Sequence, residues 1–461
     1  MAVFDDGGYS SGSRVRFGVV ALAAAAAAWA ADPARARRFA GAPALIVLMV
    51  LSALGALSAA WTLGIVEEAL EWGLVTAGFA AVAFATAVLI ESERGPALAA
   101  GLVAVVAVAM GVIGLLAAAT TDEPLAHRAA GLWRPASTFQ YSPALALLMV
   151  SALPPLIAAL CRSGRRWQQL LAGAGGAIAG ATLALAASRT QLALALIVCA
   201  AAVVWPQRLV RAPRGTVAAA AALIAAAGLG AYAVVGGYVP VTPAPDDAER
   251  LLTLGAVLAA AAAAWLLIRA GLRSGLPAVA LAAVLLAAAA AGALAKPAPR
   301  LVSSGIVSAE ARPKPPPVGP RERLDPIRDR LLHGRLRIWG EAIDTFADRA
   351  LYGGGADSYF FASEDHQNTR SVFFAHSLPL ELAAELGIAG FLLALGLYAT
   401  AAQALWRART GPAAWLLGPA AAAFLAANLV DWPWHLAGSG AVWALAFGAI
   451  LGAAGATRGG H

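Results

Sequence analysis

The sequence predicts an all-α polytopic membrane protein, and three observations support this fold class. Hydrophobic residues make up 60% of the 461 positions and charged residues only 13%, whereas soluble globular proteins carry about 25% charged residues. The mean hydropathy is +0.73. Apolar runs of about 18 residues or more recur along the whole length. Such runs are typical of transmembrane helices and differ from the short alternating strands of a transmembrane barrel.

The apolar runs predict a bundle of about 12 transmembrane helices, or 13 with the first one. That first run, 17–31, is short for a hydrocarbon core of about 30 Å, so we expect a half-span or an interfacial helix. It follows two arginines without a clear cleavage site, which indicates a retained helix rather than a signal peptide. The candidate spans are 17–31, 42–61, 72–90, 97–119, 142–161, 168–187, 191–205, 215–235, 251–268, 276–295, 380–406, 413–428 and 437–456.

The net charge of +7 is first a topology signal and only a poor indication of nucleic-acid binding. Basic short loops alternate with non-basic ones, and we assign the basic loops to the cytoplasm. They contain Arg35, Arg37 and Arg38; Arg162, Arg165 and Arg166; Arg208, Arg211 and Arg214; Arg269 and Arg273; and Arg407 and Arg409. The segments assigned to the outside are 62–71, 120–141, 188–190, 236–250, 296–378 and 429–436. This orientation places the N-terminus outside.

The long loop 296–378 separates an N-terminal bundle, 1–295, from C-terminal transmembrane helices, 379–461. Its first part, 296–326, is proline-rich and predicts an extended linker. Its second part, 327–378, is expected to be a catalytic loop. There Trp339, Ala342, Ile343, Phe346 and Ala350 repeat at helical spacing, which predicts an amphipathic helix over 335–349 in the membrane interface. The glycines at 353–355 are expected to end it.

Three ionisable positions are candidates for chemistry. Arg189 lies in a short turn between apolar runs, where a guanidinium is suited to bind phosphate, although it also fits a helix cap that reaches to water. Arg335, with Arg337 close by, precedes the amphipathic helix; a solvated basic face is the alternative. His376 lies at the mouth of the next span, where its near-neutral pKa suits proton transfer, although a simple cap is more common.

Other side chains add to this set or limit it. Glu385 lies within apolar sequence and therefore needs a partner. The sequence has no HExxH, DxD or cysteine cluster, so we expect no metal and no cofactor, with arginines neutralising anionic charge. His127, His366 and His435 show no metal-ligand spacing, and the two cysteines indicate no disulfide framework.

Four motifs together resemble the O-antigen ligase and polymerase superfamily of bacterial envelope enzymes. GRLRIWGEAIDTFADRALYGGGADSYF, with Arg335 and Trp339, is similar to the family's periplasmic signature. AHSLPLELAAELGIAG matches its histidine motif with His376, Glu385 and two glycines. LAASRTQLALAL resembles its SRG turn, and RPASTFQYSPALALLM its outer loop. The resemblance covers 130–450 and implies a GT-C-like bundle.

The resemblance implies transfer of a glycan from an undecaprenyl-diphosphate carrier to an acceptor hydroxyl at the outer face of the bacterial cytoplasmic membrane. It implies that Arg189 and Arg335 bind the diphosphate and that His376 is the general base. Arg337 and Arg134 are expected as additional phosphate contacts, with Trp339 and Glu385 in supporting positions. The expected partners are the lipid-linked donor, a glycan, lipid or protein acceptor, and membrane lipid, with no nucleic acid.

Two other functions remain open from the sequence. A polymerase would join two lipid-linked repeats with the same residues. A transporter or flippase of lipid-linked sugars would use the same basic outer surface, but it predicts internal repeats, and none is convincing here. A purely structural or sensor protein leaves Arg189 and His376 unexplained.

Overall fold

The computed structural model describes residues 6–90, 94–129, 132–161, 166–205, 334–367 and 372–456, with scattered positions between 217 and 228. Numbered in chain order within these ranges, the α-helices are α1 (Ser11–Ala31), α2 (Pro33–Ala40), α3 (Pro43–Leu57), α4 (Val66–Leu89), α5 (Gly95–Thr120), α6 (Ser142–Cys161), α7 (Arg166–Ala186), α8 (Arg189–Val204), α9 (Arg335–Asp348), α10 (Tyr359–Ala362), α11 (Leu378–Ala408), α12 (Pro412–Leu416), α13 (Gly418–Ala427) and α14 (Ala437–Ala456). A small antiparallel hairpin, β1 (Ala126–Ala129) and β2 (Leu132–Pro135), interrupts the helices.

The structure confirms an all-α polytopic membrane protein. Within the described ranges, eight helices are long and apolar enough to cross a membrane, and α8 and α13 are shorter apolar helices. The first helix runs from Ser11 to Ala31, so the expectation of a half-span is wrong: 21 residues suffice to cross. The predicted spans 251–268 and 276–295 and the linker 296–326 lie outside the described residues, and of the predicted span 215–235 only scattered positions are described. The number of spans therefore stays a prediction.

Small residues let α4 and α14 approach closely. A Cβ added to Gly448 would lie 2.3 Å from the Ala83 oxygen, and one added to Gly452 would lie 2.9 Å from the Ala87 oxygen. The four-residue spacing on both helices is the small-xxx-small pattern that allows backbones to touch where lipid gives no hydrophobic drive. This close packing of α4 and α14 helps to fix the position of the segment that precedes α14.

The connecting segments separate into two ends of the bundle. The basic end contains α2 and the 409–411 turn. The loop end contains 6–10, 58–65, 121–141, 334–377 and 428–436. Contacts between distant segments define it: Arg14 pairs with Asp357 at 2.6 Å, and the Ala356 N–H donates to Ser58 Oγ at 2.8 Å. The N-terminal segment and the long loop thus share one end, as the charge pattern predicts.

The glycine turn after α9 packs into a break in α11. Gly387 has φ 64° and ψ −155°, which interrupts the helix. The turn supplies hydrogen bonds at the break: the Gly355 N–H donates to the Glu385 carbonyl at 2.7 Å, and the Ile388 N–H donates to the Ala350 carbonyl at 2.8 Å. The turn therefore does more than end α9, because it fastens the segment after α9 to a membrane helix.

Helix α9 packs on α11 and leaves part of its apolar stripe on the surface. Ile338, Ala342 and Thr345 are buried, whereas Ile343 is 53% exposed. Packing on α11 covers the Ile338 side, and the membrane-interface location of the predicted stripe stays a prediction. Periodicity shows that a helix is amphipathic, but the neighbouring element decides which residues it covers.

Replacing Gly387 with alanine should lower the apparent unfolding temperature in detergent. The left-handed backbone there is strained for alanine by about 1–3 kcal/mol, and the new Cβ would lie 2.6 Å from the Leu351 carbonyl carbon. Gly396→Ala on the same helix is the matched control, since its nearest neighbour would be 3.7 Å away. Scanning fluorimetry that gives equal unfolding temperatures for the two variants would contradict the assigned break.

Candidate active site

Asn428 ties the segment between α13 and α14 to the start of α11. Its carbonyl accepts the Leu378 N–H at 2.7 Å, and its side-chain oxygen accepts the Trp434 N–H at 2.9 Å. Its amide nitrogen donates to the Phe424 carbonyl at 2.9 Å. Because Leu378 is two residues after His376, these bonds bring 429–436 against the histidine.

Asp431 is the centre of the cluster that results. It is 4% exposed, and its Oδ1 accepts the Tyr141 hydroxyl at 2.7 Å and the Trp432 N–H at 3.0 Å. His376 Nδ1 lies 3.2 Å from the same oxygen, and a guanidinium nitrogen of Arg335 lies 3.4 Å from it. One carboxylate oxygen therefore joins two of the sequence-predicted site residues.

His376 is held by its backbone and by one ring nitrogen. Its φ is 52°, and its carbonyl accepts the Trp339 indole N–H at 3.4 Å. With Nδ1 against Asp431, the imidazole has Nε2 left, and within the described residues no hydrogen bond to that nitrogen is found. The side chain lines a cleft of about 430 Å³. An Nδ1–H that donates to a carboxylate leaves Nε2 with a lone pair to accept a proton.

Arg335 opens α9, one helical turn before Trp339. Its Nε is buried and has no hydrogen-bond partner within the described part of the chain. A buried donor without a partner is costly, and a phosphate oxygen would satisfy it. The predicted pair of Arg335 and His376 is thus brought together, with one nitrogen of each still open.

The other predicted arginines are placed separately. Arg337 Nε lies 3.5 Å from Glu341 Oε1 on its own helix. Arg134 lies in β2, and its buried Nε also has no hydrogen-bond partner in the described ranges. Arg189 is exposed and begins α8 at the loop end, just after α7, which packs against β2. It does not contact Asp431, so its convergence with Arg335 and His376 stays a prediction.

Glu385 holds the loop that follows the glycine turn. Its carboxylate accepts the Asp357 N–H at 3.1 Å and the Tyr359 N–H at 2.9 Å. The predicted need for a partner is confirmed, and the partner is backbone. Glu385 is 1% exposed, so losing these donors would leave a buried carboxylate without compensation.

A second network, made of buried charged side chains, centres on His435, for which the sequence suggested no role. His435 is 3% exposed; its Nε2 lies 2.5 Å from Glu381 Oε1 and its Nδ1 3.2 Å from Asp357 Oδ1. The other oxygen of Asp357 pairs with Arg14, and that of Glu381 accepts the Ala375 N–H at 2.8 Å. The network therefore joins α1, the segment between α9 and α10, α11 and the entry to α14.

Charged neighbours in the His435 network counteract the effect of burial on the pKa values of His435 and Asp357. Burial lowers the pKa of His435, but the carboxylates of Glu381 and Asp357 outweigh it and raise that pKa from 6.5 to about 10. Burial raises the pKa of Asp357, but His435 and Arg14 together hold it well below its usual range. In the Asp431 cluster, burial and the Asp431 carboxylate raise the pKa of Tyr141 well above its ordinary value, so its hydroxyl stays a donor.

Sequence reasoning missed Asp431, Tyr141 and His435. Asp431 had a signal, because it is an acidic residue in a short loop between two apolar runs, NLVDWPWHLAG. Tyr141 and His435 had none, since neither spacing nor composition distinguishes them from interfacial residues. Their partners are distant in sequence: Tyr141 and Asp431 are 290 residues apart.

Comparison with known proteins gives one family match. A family model described as O-antigen ligase matches residues 248–395, roughly a third of the chain. Within the described residues this range includes α9, the glycine turn, His376 and the first half of α11. No curated protein matches the chain. The match confirms the resemblance to the O-antigen ligase superfamily and indicates a membrane enzyme of the ligase or polymerase type.

The His435 network should make stability depend on pH. A folded-state pKa of about 10 lies above the ordinary 6.5, so the stabilisation is complete below pH 6.5 and is lost as the pH rises through 10. We expect the apparent unfolding temperature in detergent to fall across this window. The fall should be clearly smaller in His435→Asn.

His366→Asn is the control, because His366 is paired with the largely exposed Asp348. It should leave the wild-type pH profile unchanged. A His435→Asn profile as steep as that of the wild type would contradict the charged histidine.

Proposed function

We propose that this chain, whose residues 248–395 match the O-antigen ligase family, is a glycosyltransferase. It moves a glycan from undecaprenyl diphosphate to an acceptor hydroxyl without a metal. The observation that carries the proposal is the shared oxygen of Asp431, with His376 Nδ1 at 3.2 Å and Arg335 at 3.4 Å. It places a proton acceptor and an anion-binding group side by side, and transfer from a diphosphate to a hydroxyl needs both.

His376 acts as the general base in this proposal. Asp431 accepts from Nδ1 and fixes the tautomer in which Nε2 is basic, and it stabilises the imidazolium that forms after proton transfer. Tyr141 and Trp432 donate to the same Asp431 oxygen. These two donors hold the carboxylate in place while the histidine changes charge.

Arg335 stabilises the leaving group. Cleavage of a glycosyl diphosphate leaves negative charge on the diphosphate, and preorganised cationic donors lower that barrier. The unpaired, buried Nε of Arg335 supports this role, and the unpaired Nε of Arg134 supports a second contact. Arg337 and Arg189 are further candidates at the same end of the bundle. Guanidinium groups can bind phosphate oxygens in pairs, which also orients the donor.

The transfer is one displacement. The acceptor hydroxyl oxygen forms a bond to the anomeric carbon, and the bond from that carbon to the diphosphate oxygen breaks. The hydroxyl proton moves to His376 Nε2, and the electron pair of the broken bond leaves with the diphosphate. A single displacement inverts the configuration at the anomeric carbon, in contrast to double displacement through an enzyme carboxylate.

The location of the reaction follows from the two ends of the bundle. The basic end carries Arg35, Arg37, Arg38, Arg407 and Arg409, and basic short segments favour the cytoplasmic side. The loop end, with His376 and Arg335, then faces the outside of the bacterial cytoplasmic membrane. Exposed Ile343, Leu351 and Tyr352, on and just after α9, support contact with the lipid interface, where the polyprenyl tail of the donor lies.

Ligase and polymerase share this chemistry and differ only in the acceptor. Product analysis separates them: a ligase gives the glycan on a new carrier, and a polymerase gives a longer lipid-linked glycan. A flippase would use the arginines but would have no need for the His376–Asp431 pair.

Three substitutions should impair transfer in membranes supplied with lipid-linked donor. We expect His376→Ala to lower the rate about 10²–10⁴-fold, and Arg335→Ala about 10²–10³-fold. Asp431→Asn should also lower it by at least about 10²-fold, because the amide can hold the wrong tautomer. Product formation is measured by the mobility shift of the glycan acceptor.

Arg38→Ala is the matched control, since Arg38 is exposed at the basic end. It should keep the wild-type rate, and all four variants should insert into membranes at equal levels. Full transfer by both His376→Ala and Arg335→Ala would refute the proposed function.

Arg189 receives a separate test, because its role depends on a convergence that rests on sequence. If Arg189 binds the diphosphate, Arg189→Ala should lower transfer about 10²-fold and Arg189→Lys should recover part of it. The Michaelis constant for the donor should rise in both, with that for the acceptor unchanged. Equal rates for wild type and Arg189→Ala would identify Arg189 as an interfacial helix cap instead.

A further inference from the structure

The cleft beside His376 has an aromatic wall. Trp432 is at its centre: its ring centroid is 4.4 Å from that of Tyr141, 4.8 Å from that of Phe374 and 6.0 Å from that of Tyr9. Gln140 and Asp6 supply polar lining to the same cleft. Its volume of about 430 Å³ lies in the range of about 300–1,000 Å³ typical of small-ligand sites.

The N-terminal segment supplies part of this wall. Tyr9 lies outside the residues that carry the family resemblance and outside the matched range 248–395. Its position is fixed: Arg14, 5.4 Å from the Tyr9 ring, is paired with Asp357 of the catalytic loop. Gly7, at φ 62°, packs so closely on Phe139 that a Cβ would lie 2.8 Å from Cδ1. The segment is therefore built onto the site, and Tyr9 remains 41% exposed to a ligand.

We propose that this cleft is the acceptor subsite and that it binds an uncharged saccharide. The proposal rests on the proposed function and specifies its acceptor. The negative face of an aromatic ring attracts the weakly positive C–H groups on one face of a pyranose. The Gln140 amide and the Asp6 carboxylate can exchange hydrogen bonds with hydroxyls at the ring edge. Tyr141 and Phe374 pack against Trp432, so the exposed ring of Tyr9 is the stacking surface, and a sugar on it would present a hydroxyl to His376.

The neighbouring cavity sets the charge of the acceptor. Tyr9, Phe373 and Phe374 line it as well, and its volume is about 610 Å³. Its other lining includes Glu67, Glu68 and Glu71, whereas Arg14, its cation, is already paired with Asp357. Ser11 donates its hydroxyl to Glu71.

Carboxylates accept hydrogen bonds from sugar hydroxyls and repel phosphate. The two substrates are therefore separated by charge. The anionic donor binds on the arginine side of His376, and the acceptor extends along the aromatic and acidic side. A phosphorylated acceptor glycan is disfavoured.

Steady-state transfer by the purified full chain in detergent tests the subsite. The acceptor is the delipidated glycan fraction of the host envelope, with and without phosphatase treatment. Tyr9→Ala should raise the Michaelis constant for acceptor about tenfold and leave that for donor unchanged. Tyr9→Phe should restore most of the affinity, because the ring is retained. Phosphatase treatment should improve the acceptor for wild type, and less so for Glu67→Gln/Glu68→Gln/Glu71→Gln.

Val19→Ala, at a 57% exposed position of α1, is the control and should match the wild type. An unchanged acceptor constant in Tyr9→Ala, or transfer to protein serine or threonine instead of glycan, overturns the subsite. A glycan array separates this failure from that of the proposed function. Wild type and Arg335→Ala should both retain uncharged oligosaccharides, and Tyr9→Ala should not.

Retention on the array without any transfer supports the saccharide site and refutes the transferase. Transfer without retention of any uncharged glycan refutes the saccharide site and leaves the transferase standing.

Discussion

The buried carboxylate of Asp431 is the constraint on which the site depends. A carboxylate removed from water is stable only if donors surround it. Here the donors come from four places: the residue before α6, the first residue of α9, the residue two positions before α11, and the backbone of Trp432. Meeting that need brings His376 and Arg335 together. The electrostatic requirement for folding and the geometry of the chemistry thus have one physical origin.

The buried His435 network supports the Asp431 cluster from the side of the membrane helices. His435 lies between Glu381 and Asp357, and Phe374 packs over it with ring centroids 4.2 Å apart. Phe374 also stacks on Trp432, next to Asp431. Deeper still, the glycine turn seals the break at Gly387. The site therefore combines close helix packing, a buried ion network and a partly open cluster at the cleft that His376 lines.

Positively and negatively charged side chains lie on different sides of His376. Guanidinium groups with open donors lie at the start of α9 and in β2, and carboxylates line the far side beyond Tyr9. In a medium of low dielectric constant such a division acts strongly on charged ligands. Under the proposed function, this division would orient a diphosphate donor and a sugar acceptor, because each would be unfavourable in the place of the other.

The sequence by itself determined the fold class and most spans, because hydropathy is a local property and a membrane helix must satisfy it alone. It also indicated Arg335, His376 and Glu385 as candidate site residues. An ionisable group beside an apolar run is energetically costly, which makes it a candidate for function. Only the tertiary structure decided that Asp431 joins two of them, that α9 turns Ile338 inward, and that Tyr9 reaches the cleft. Arg14 and Asp357, which fasten the N-terminal segment there, are 343 residues apart. No periodicity encodes such a pair, because which surfaces meet depends on packing among all the helices at once.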